Sequence, residues 1–158
     1  MAAAKAVKNT AVKIKVKHTG KSPLPAYASS GAAAMDLVAE IGRSQHIIQG
    51  SNQLIPTGIA VSIPKGYCFK IYARSGIADK RGLAPSNAVG LIDPDYTGQI
   101  YISLANRSEV TQYIEPGERI AQIMLEKTIP FEWEQVDELE ETDRGIGGFG
   151  STGEKATT

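Results

Sequence analysis

The stretch Ile59-Ala60-Val61-Ser62-Ile63-Pro64-Lys65-Gly66-Tyr67-Cys68-Phe69-Lys70-Ile71-Tyr72-Ala73 carries two alternating runs on either side of one turn. Ile59, Val61 and Ile63 form a short apolar run that stops at Pro64, and Tyr67, Phe69, Ile71 and Ala73 form one face of the next. A period of two belongs to a strand with one buried face, and Pro64-Lys65-Gly66 is a turn signal. Outward from here the same period recurs. Val12, Ile14 and Val16 alternate with Lys13, Lys15 and Lys17, and Ile100, Ile102 and Leu104 share one face. Pro56-Thr57-Gly58, Pro94-Asp95 and Pro116-Gly117 supply further turns between runs. Many short strands with Gly/Pro turns and no long amphipathic helix predict an all-β sandwich, jelly roll or barrel. Ser75 to Gly82 is the exception, a short helix that Ser75 can cap and Gly82 can end.

The 158 residues are about one domain, enough to bury roughly two-thirds of the unfolded surface. Hydrophobic residues at 42% and charged residues at 22% are ordinary globular values and argue against disorder. A formal net charge of +0 argues against a broad basic face for nucleic acid. One cysteine, Cys68, excludes an internal disulfide framework, and with only two histidines it leaves too few ligands for a structural zinc site. The charge-free run from Ser44 to Pro64 contains Gln, Asn, Gly and two prolines, which no spanning helix would. Met1 to Thr10 lacks the apolar core of a signal peptide. The expectation is a soluble, intracellular (cytoplasmic) protein with no membrane partner.

Charge is segregated. Met1 to Lys21 carries six lysines and no acid, whereas Glu132 to Asp143 carries seven acids and no base. The plain reading is two solvated faces; the other is that opposite ends of neighbouring chains attract. From Arg144 the chain reads RGIGGFGSTGEKATT, with five glycines in ten residues, too many to hold a strand or helix unaided. The predicted division is a β domain over 1–143 and a flexible arm over 144–158. Gly145 to Gly150 satisfies G-x-G-x-x-G, but no helix and strand can follow so near the C-terminus, so a dinucleotide fold fails. Asn106-Arg107-Ser108 is a chance sequon in an intracellular chain, and His18 and His46 read as surface residues.

The informative segment runs from Asn87 to Gly98, NAVGLIDPDYTG. Two carboxylates, an aromatic ring and glycines lie at a turn between apolar runs. Read as a hairpin, it offers backbone groups to a planar polar ring, a tyrosine to stack and a carboxylate to polarise water. It can equally be an ordinary turn.

With that segment the chain resembles the trimeric deoxyuridine triphosphatase (dUTPase) family over roughly Gly31 to Gly153. Five separated motifs stand in the family's order: Ala34-Met35-Asp36-Leu37, Ala73-Arg74-Ser75-Gly76-Ile77-Ala78, the 87–98 segment, Pro116-Gly117-Glu118-Arg119-Ile120-Ala121-Gln122, and Arg144 to Gly153. The resemblance implies a compact jelly-roll-like β-barrel with one short helix, a homotrimer with active sites shared between subunits, and Mg²⁺-dependent hydrolysis of dUTP to dUMP and pyrophosphate. That reaction limits uracil incorporation into DNA and supplies dUMP for thymidylate synthesis. No nucleic acid and no membrane enter it.

Residue by residue, the resemblance implies the following. Asp93 is the base that orients and deprotonates a water attacking the α-phosphorus, worth about 10²–10⁴ in rate. Tyr96 lies under the deoxyribose and leaves no volume for a 2′-hydroxyl, while Asn87 and the backbone at Gly90 bond the uracil edge and leave no space for a 5-methyl. Arg74, Ser75 and Gly76 bind phosphate at a helix start, where amides and dipole favour anions. Gln122 bonds phosphate oxygens or, alternatively, makes a structural hydrogen bond. Asp36 serves Mg²⁺ through water or at second hand, or else holds Arg74 or the barrel. In the arm, Phe149 covers the uracil, Arg144 meets the γ-phosphate, and Gly150, Ser151 and Thr152 close over the phosphates.

Two departures stand out: Ala34-Met35 precedes Asp36 where the family commonly has Gly-Tyr, and Ile77 replaces a leucine. A deoxycytidine triphosphate deaminase on the same fold is the rival enzyme, but Gly76 stands where those proteins have a second serine. A non-catalytic trimeric binding protein is the rival of a different class.

Overall fold

The computed structural model describes residues 11–148. Among them lie strands β1 (Lys15–His18), β2 (Met35–Val38), β3 (Gln45–Ile47), β4 (Asn52–Ser62) and β5 (Tyr67–Tyr72), then helix α1 (Ser75–Arg81). Strands β6 (Leu83–Pro85), β7 (Gly90–Ile92), β8 (Gln99–Asn106), β9 (Gln112–Ile114) and β10 (Arg119–Lys127) follow. One sheet has the order β1-β4-β8-β6, a second β2-β10-β5-β7, and β3 pairs with β9. Every pairing is antiparallel. From β4 to β8 the chain changes sheet at each step, which makes the expected all-β, jelly-roll-like fold. No helix among the described residues is long and apolar enough to cross a membrane.

The inward faces follow the period of two. Ile59, Val61, Ile63, Ile71, Ile100, Ile102 and Leu104 are each no more than 7% exposed. With Leu37, Ile47, Ile55, Leu83, Ile114 and Ile120 they form one core between the sheets. Each such side chain contributes about 1.5–3 kcal/mol of transfer free energy.

Three local expectations are corrected. Pro56-Thr57-Gly58 does not separate two strands; it is an irregularity inside β4, where the register against β8 shifts between Pro56 and Ala60. Thr57 is buried there and its hydroxyl donates to the Ile100 carbonyl at 2.7 Å, while Gly58 takes φ 70°. The bulge bends the strand without ending it. Ser75 does not cap α1: Arg74 is the N-cap, in extended conformation and with no side-chain cap bond. Gly82 ends the helix as expected, at φ 64°. Finally, the 87–98 segment is not a hairpin, because β7 pairs with β5 in one sheet and β8 with β4 and β6 in the other. The β6–β8 ladder runs out at Ser86, whose amide donates to Ser103 O at 2.8 Å, and the chain then crosses to the second sheet and back.

Candidate active site

Three distant motifs meet across the second sheet. Gln122 of β10 stands opposite Asp36 of β2 on one side and Tyr72 of β5 on the other. Sheet register therefore delivers the first and fourth motifs to one row, at the end of β5 from which the second motif leads off. Asp36 Oδ1 accepts from Arg74 Nε at 2.8 Å, and its Oδ2 accepts from Arg119 Nη1 at 3.2 Å. Arg74 Nη1 also donates to the Arg119 carbonyl at 3.2 Å. Gln122 Nε2 donates to Ala73 O at 2.8 Å, which holds the end of β5 just before Arg74. Ser75 and Gly76 follow, exposed at the start of α1, where their own amides have no partner within the helix. Two guanidiniums around one carboxylate leave net positive charge at the surface, suited to an anion with several oxygens.

Arg119 joins the cluster although its motif assigns it no role; its signal, the alternation of β10, is hidden because Ile120 and Ala121 are both fully buried. A bulge between Arg119 and Ala121 explains two consecutive inward residues.

The 86–98 excursion gathers the remaining residues. Asn87 and Val89 flank Ala88, which takes φ 63°, and Val89 N donates to Asn87 O at 2.7 Å. That left-handed alanine is a costly conformation held by its surroundings. It brings the Asn87 amide beside Gly90: a Cβ built on Gly90 would lie 3.8 Å from Asn87 Nδ2 and 3.0 Å from Ile71 Cβ. At the other end of β7, Asp93-Pro94-Asp95-Tyr96 is a β-turn, with Tyr96 N donating to Asp93 O at 3.2 Å. Asp93 and Tyr96 are both exposed. Tyr96 OH donates to Gln99 O at 2.7 Å, and the ring lies so close to Gly98 that a Cβ there would come within 2.8 Å of it. Gly98 is thus a further candidate for the site; its signal in the sequence is a glycine two places after an aromatic.

The two clusters are far apart within one chain. Asp36 and Asp93 are separated by three strand spacings across β2-β10-β5-β7 and by about four residues along the strands. At ~4.8 Å per strand and ~3.3 Å per residue the gap is on the order of 20 Å.

The other predicted residues are placed as follows. Arg144 is exposed, in a turn where its Nε donates to Gly147 O at 3.0 Å. Phe149, Gly150, Ser151 and Thr152 lie outside the described residues. Asn106 of the sequon is 1% exposed, with its amide donating to Ile47 O and Val110 O and its carbonyl accepting from Ser108. It is a loop-bracing residue that no glycosyl transfer could reach. His18 and His46 are exposed, as expected. No group of three or more His, Cys, Asp or Glu among the described residues could hold a metal ion.

The dUTPase family model matches residues 20–153. A deoxyuridine 5′-triphosphate nucleotidohydrolase of Leptothrix cholodnii is 48% identical over 131 residues, 82% of this chain and 87% of that protein. One from Acinetobacter baylyi is 46% identical over 146 residues, 91% of this chain and 97% of that protein. Among solved structures, Staphylococcus bacteriophage 80alpha dUTPase with dUpNHpp superposes with a TM-score of 0.80 at 28% identity, covering 89% of this chain and 98% of that one. With its motifs arranged as described and its length matched almost throughout, the chain belongs to the dUTPase family.

Proposed function

We propose that this protein hydrolyses dUTP to dUMP and pyrophosphate, with Asp93 as the base and as a homotrimer in which each site draws on neighbouring chains. The observation that carries the chemistry is the Asp93–Tyr96 turn. It fixes an exposed carboxylate three residues from a ring whose hydroxyl is tied down. A sugar resting on Tyr96 brings its 5′-phosphate toward Asp93, and the seated ring refuses a 2′-hydroxyl sterically. Asn87 and the Gly90 backbone, held together by the Ala88 turn, take the uracil edge. Asp93 accepts a proton from water as it attacks the α-phosphorus, and pyrophosphate leaves in line. The phage relative supports this reading: in dUpNHpp, NH replaces the oxygen that joins the α- and β-phosphorus, the bond this reaction breaks.

The spacing supports the trimer. A single triphosphate cannot touch both Asp93 and the Arg74–Asp36–Arg119 cluster across ~20 Å, so the phosphate cluster of one chain serves the nucleoside segment of another. Exposed apolar side chains agree, since Ile129, Phe131 and Trp133 are 87%, 73% and 89% exposed in a single chain. The 144–158 arm, with Phe149 over the base and Arg144, Gly150, Ser151 and Thr152 on the phosphates, then closes the site.

Asp36 is a poor direct metal ligand, because both its oxygens are engaged by arginines. Mg²⁺ fits as part of the substrate, carried in on the triphosphate and neutralising its charge, with Asp36 acting through Arg74 and Arg119. A nucleotide substrate is consistent with an intracellular setting. The test is pyrophosphate release by the parent and Asp93→Asn with dUTP, dTTP, UTP and dCTP. The parent should turn over dUTP alone, and Asp93→Asn should be about 10²–10⁴-fold slower. Ammonia release from dCTP, or equal rates for parent and variant, would overturn the assignment.

A further inference from the structure

Helix α1 is tied to β10 at both ends. At its start Arg74 bonds Asp36 Oδ1 and the Arg119 carbonyl. At its end the Arg81 guanidinium spends every arm on the segment leading into β10. Its Nε donates to Gln112 Oε1 at 3.0 Å, its Nη1 to Glu118 Oε1 and its Nη2 to the Tyr113 carbonyl. Glu118 is braced in turn, with its Oε2 accepting from Glu115 N at 2.9 Å and its carbonyl accepting from Ala39 N at 2.8 Å. Glu118 and Arg119 are consecutive, and Arg119 returns to Asp36 Oδ2. The contacts close a ring: Arg74, helix α1, Arg81, Glu118, Arg119, Asp36 and back to Arg74.

We propose that Arg81, through Glu118, is a positioning residue that fixes the separation of the Arg74 and Arg119 guanidiniums, and so sets how the site grips the phosphates. The proposal rests on the dUTP-hydrolysis reading above. Its physical basis is the short tether. A helix of only seven residues with no side-chain cap has little rigidity of its own. Of its residues only Ile77 is buried, so core packing restrains the helix itself at one point. A planar fork with three acceptors on the neighbouring segment fixes the far end of the helix, which a lysine reaching one acceptor could not. Displacements on the order of 1 Å in such positioning groups cost up to about 10²-fold in rate. Arg81 is distant in sequence from Arg119, and it touches Glu118 only because β9 and β10 fold back over the end of α1.

The test separates phosphate grip from general stability. Affinities for deoxyuridine, which has no phosphate, and for dUpNHpp are measured by calorimetry or competition, alongside kcat and KM for dUTP. Arg81→Ala should weaken dUpNHpp about tenfold and lower kcat, with deoxyuridine affinity unchanged. Arg81→Lys should recover part of the loss, and Lys80→Ala, an exposed neighbour on the same helix, should behave as the parent. Should Arg81→Ala fail to fold, Glu118→Gln and Arg81→Lys carry the same comparison. Equal weakening of both ligands, or no change in either, would overturn the positioning role. A parent protein that binds neither ligand would instead sink the dUTP reading, and this proposal with it.

Discussion

Replacing Gly98 by alanine tests the Tyr96 wall directly. The added Cβ would lie 2.8 Å from both Cζ and OH of Tyr96 and 3.1 Å from its Cε2. Carbon contacts settle near 3.5–4.0 Å, so the ring must retreat by about 0.7–1.2 Å. Its hydroxyl now stands 2.7 Å from Gln99 O, and a retreat of that size stretches the bond beyond useful range. Tyr96 is 43% exposed, so water can replace that partner and the stability cost is only about 0.5–1.5 kcal/mol. Gly98 does not have a positive φ, so alanine fits the backbone and returns about 0.4–1 kcal/mol by restricting the unfolded chain. The two nearly cancel, leaving a variant with parental stability and a displaced Tyr96 ring, the proposed sugar wall. Its kcat/KM for dUTP should fall about tenfold to 10²-fold, and the ratio of UTP to dUTP turnover should rise. The assay is pyrophosphate release with each nucleotide, beside a urea melt. A variant with parental dUTP kinetics and parental discrimination would show that Tyr96 does not line the sugar site.

Glu40 gives a pH-dependent prediction. The Lys21 and Ser22 amides donate to its oxygens at 2.8 and 3.1 Å and, with Lys21 the larger cause, hold its carboxyl below the usual range. A depressed folded value contributes stability that is fully present above the unfolded pKa of about 4.3 and is lost as pH falls through the folded one. Urea midpoints measured from pH 6 down to pH 3 should fall less steeply for Glu40→Gln than for the parent. Thr57→Val leaves the Ile100 carbonyl unpaired in the core and should cost about 1–2 kcal/mol by urea melt with kinetics unchanged. Truncation after Asp143 should leave the proposed trimer intact by sedimentation while dUTP turnover drops by about 10²-fold or more. Full-rate hydrolysis by the truncated chain would remove the arm from the mechanism.

Local chemistry made much of the fold legible. Alternation in Ile59–Ile63, Tyr67–Ala73 and Ile100–Leu104 identified inward faces because side chains on a strand alternate whatever the partner. It failed where backbone irregularity breaks the period. β10 buries Ile120 and Ala121 in succession at a bulge, and β4 continues through Pro56-Thr57-Gly58 because a threonine hydroxyl substitutes for a ladder bond. The 87–98 segment looked like a hairpin because hydrophobic pattern is blind to which sheet a strand joins. In the same way, motif matching singled out Asp36, Arg74, Gln122, Asp93 and Tyr96 as candidates, but could not pair Asp36 with two arginines or seat Tyr96 on Gly98.

The sequence by itself determined the β class, the core faces of β4, β5 and β8, the family and the residue types proposed for the chemistry, since each follows from short-range pattern or ordered motifs. Only the tertiary structure decided that Asp36, Gln122 and the end of β5 form one row, that Arg81 closes a ring onto Arg119, and that Asp93 stands ~20 Å from Asp36. Those facts depend on strand register and sheet order, which are settled by the packing of residues dozens of positions apart.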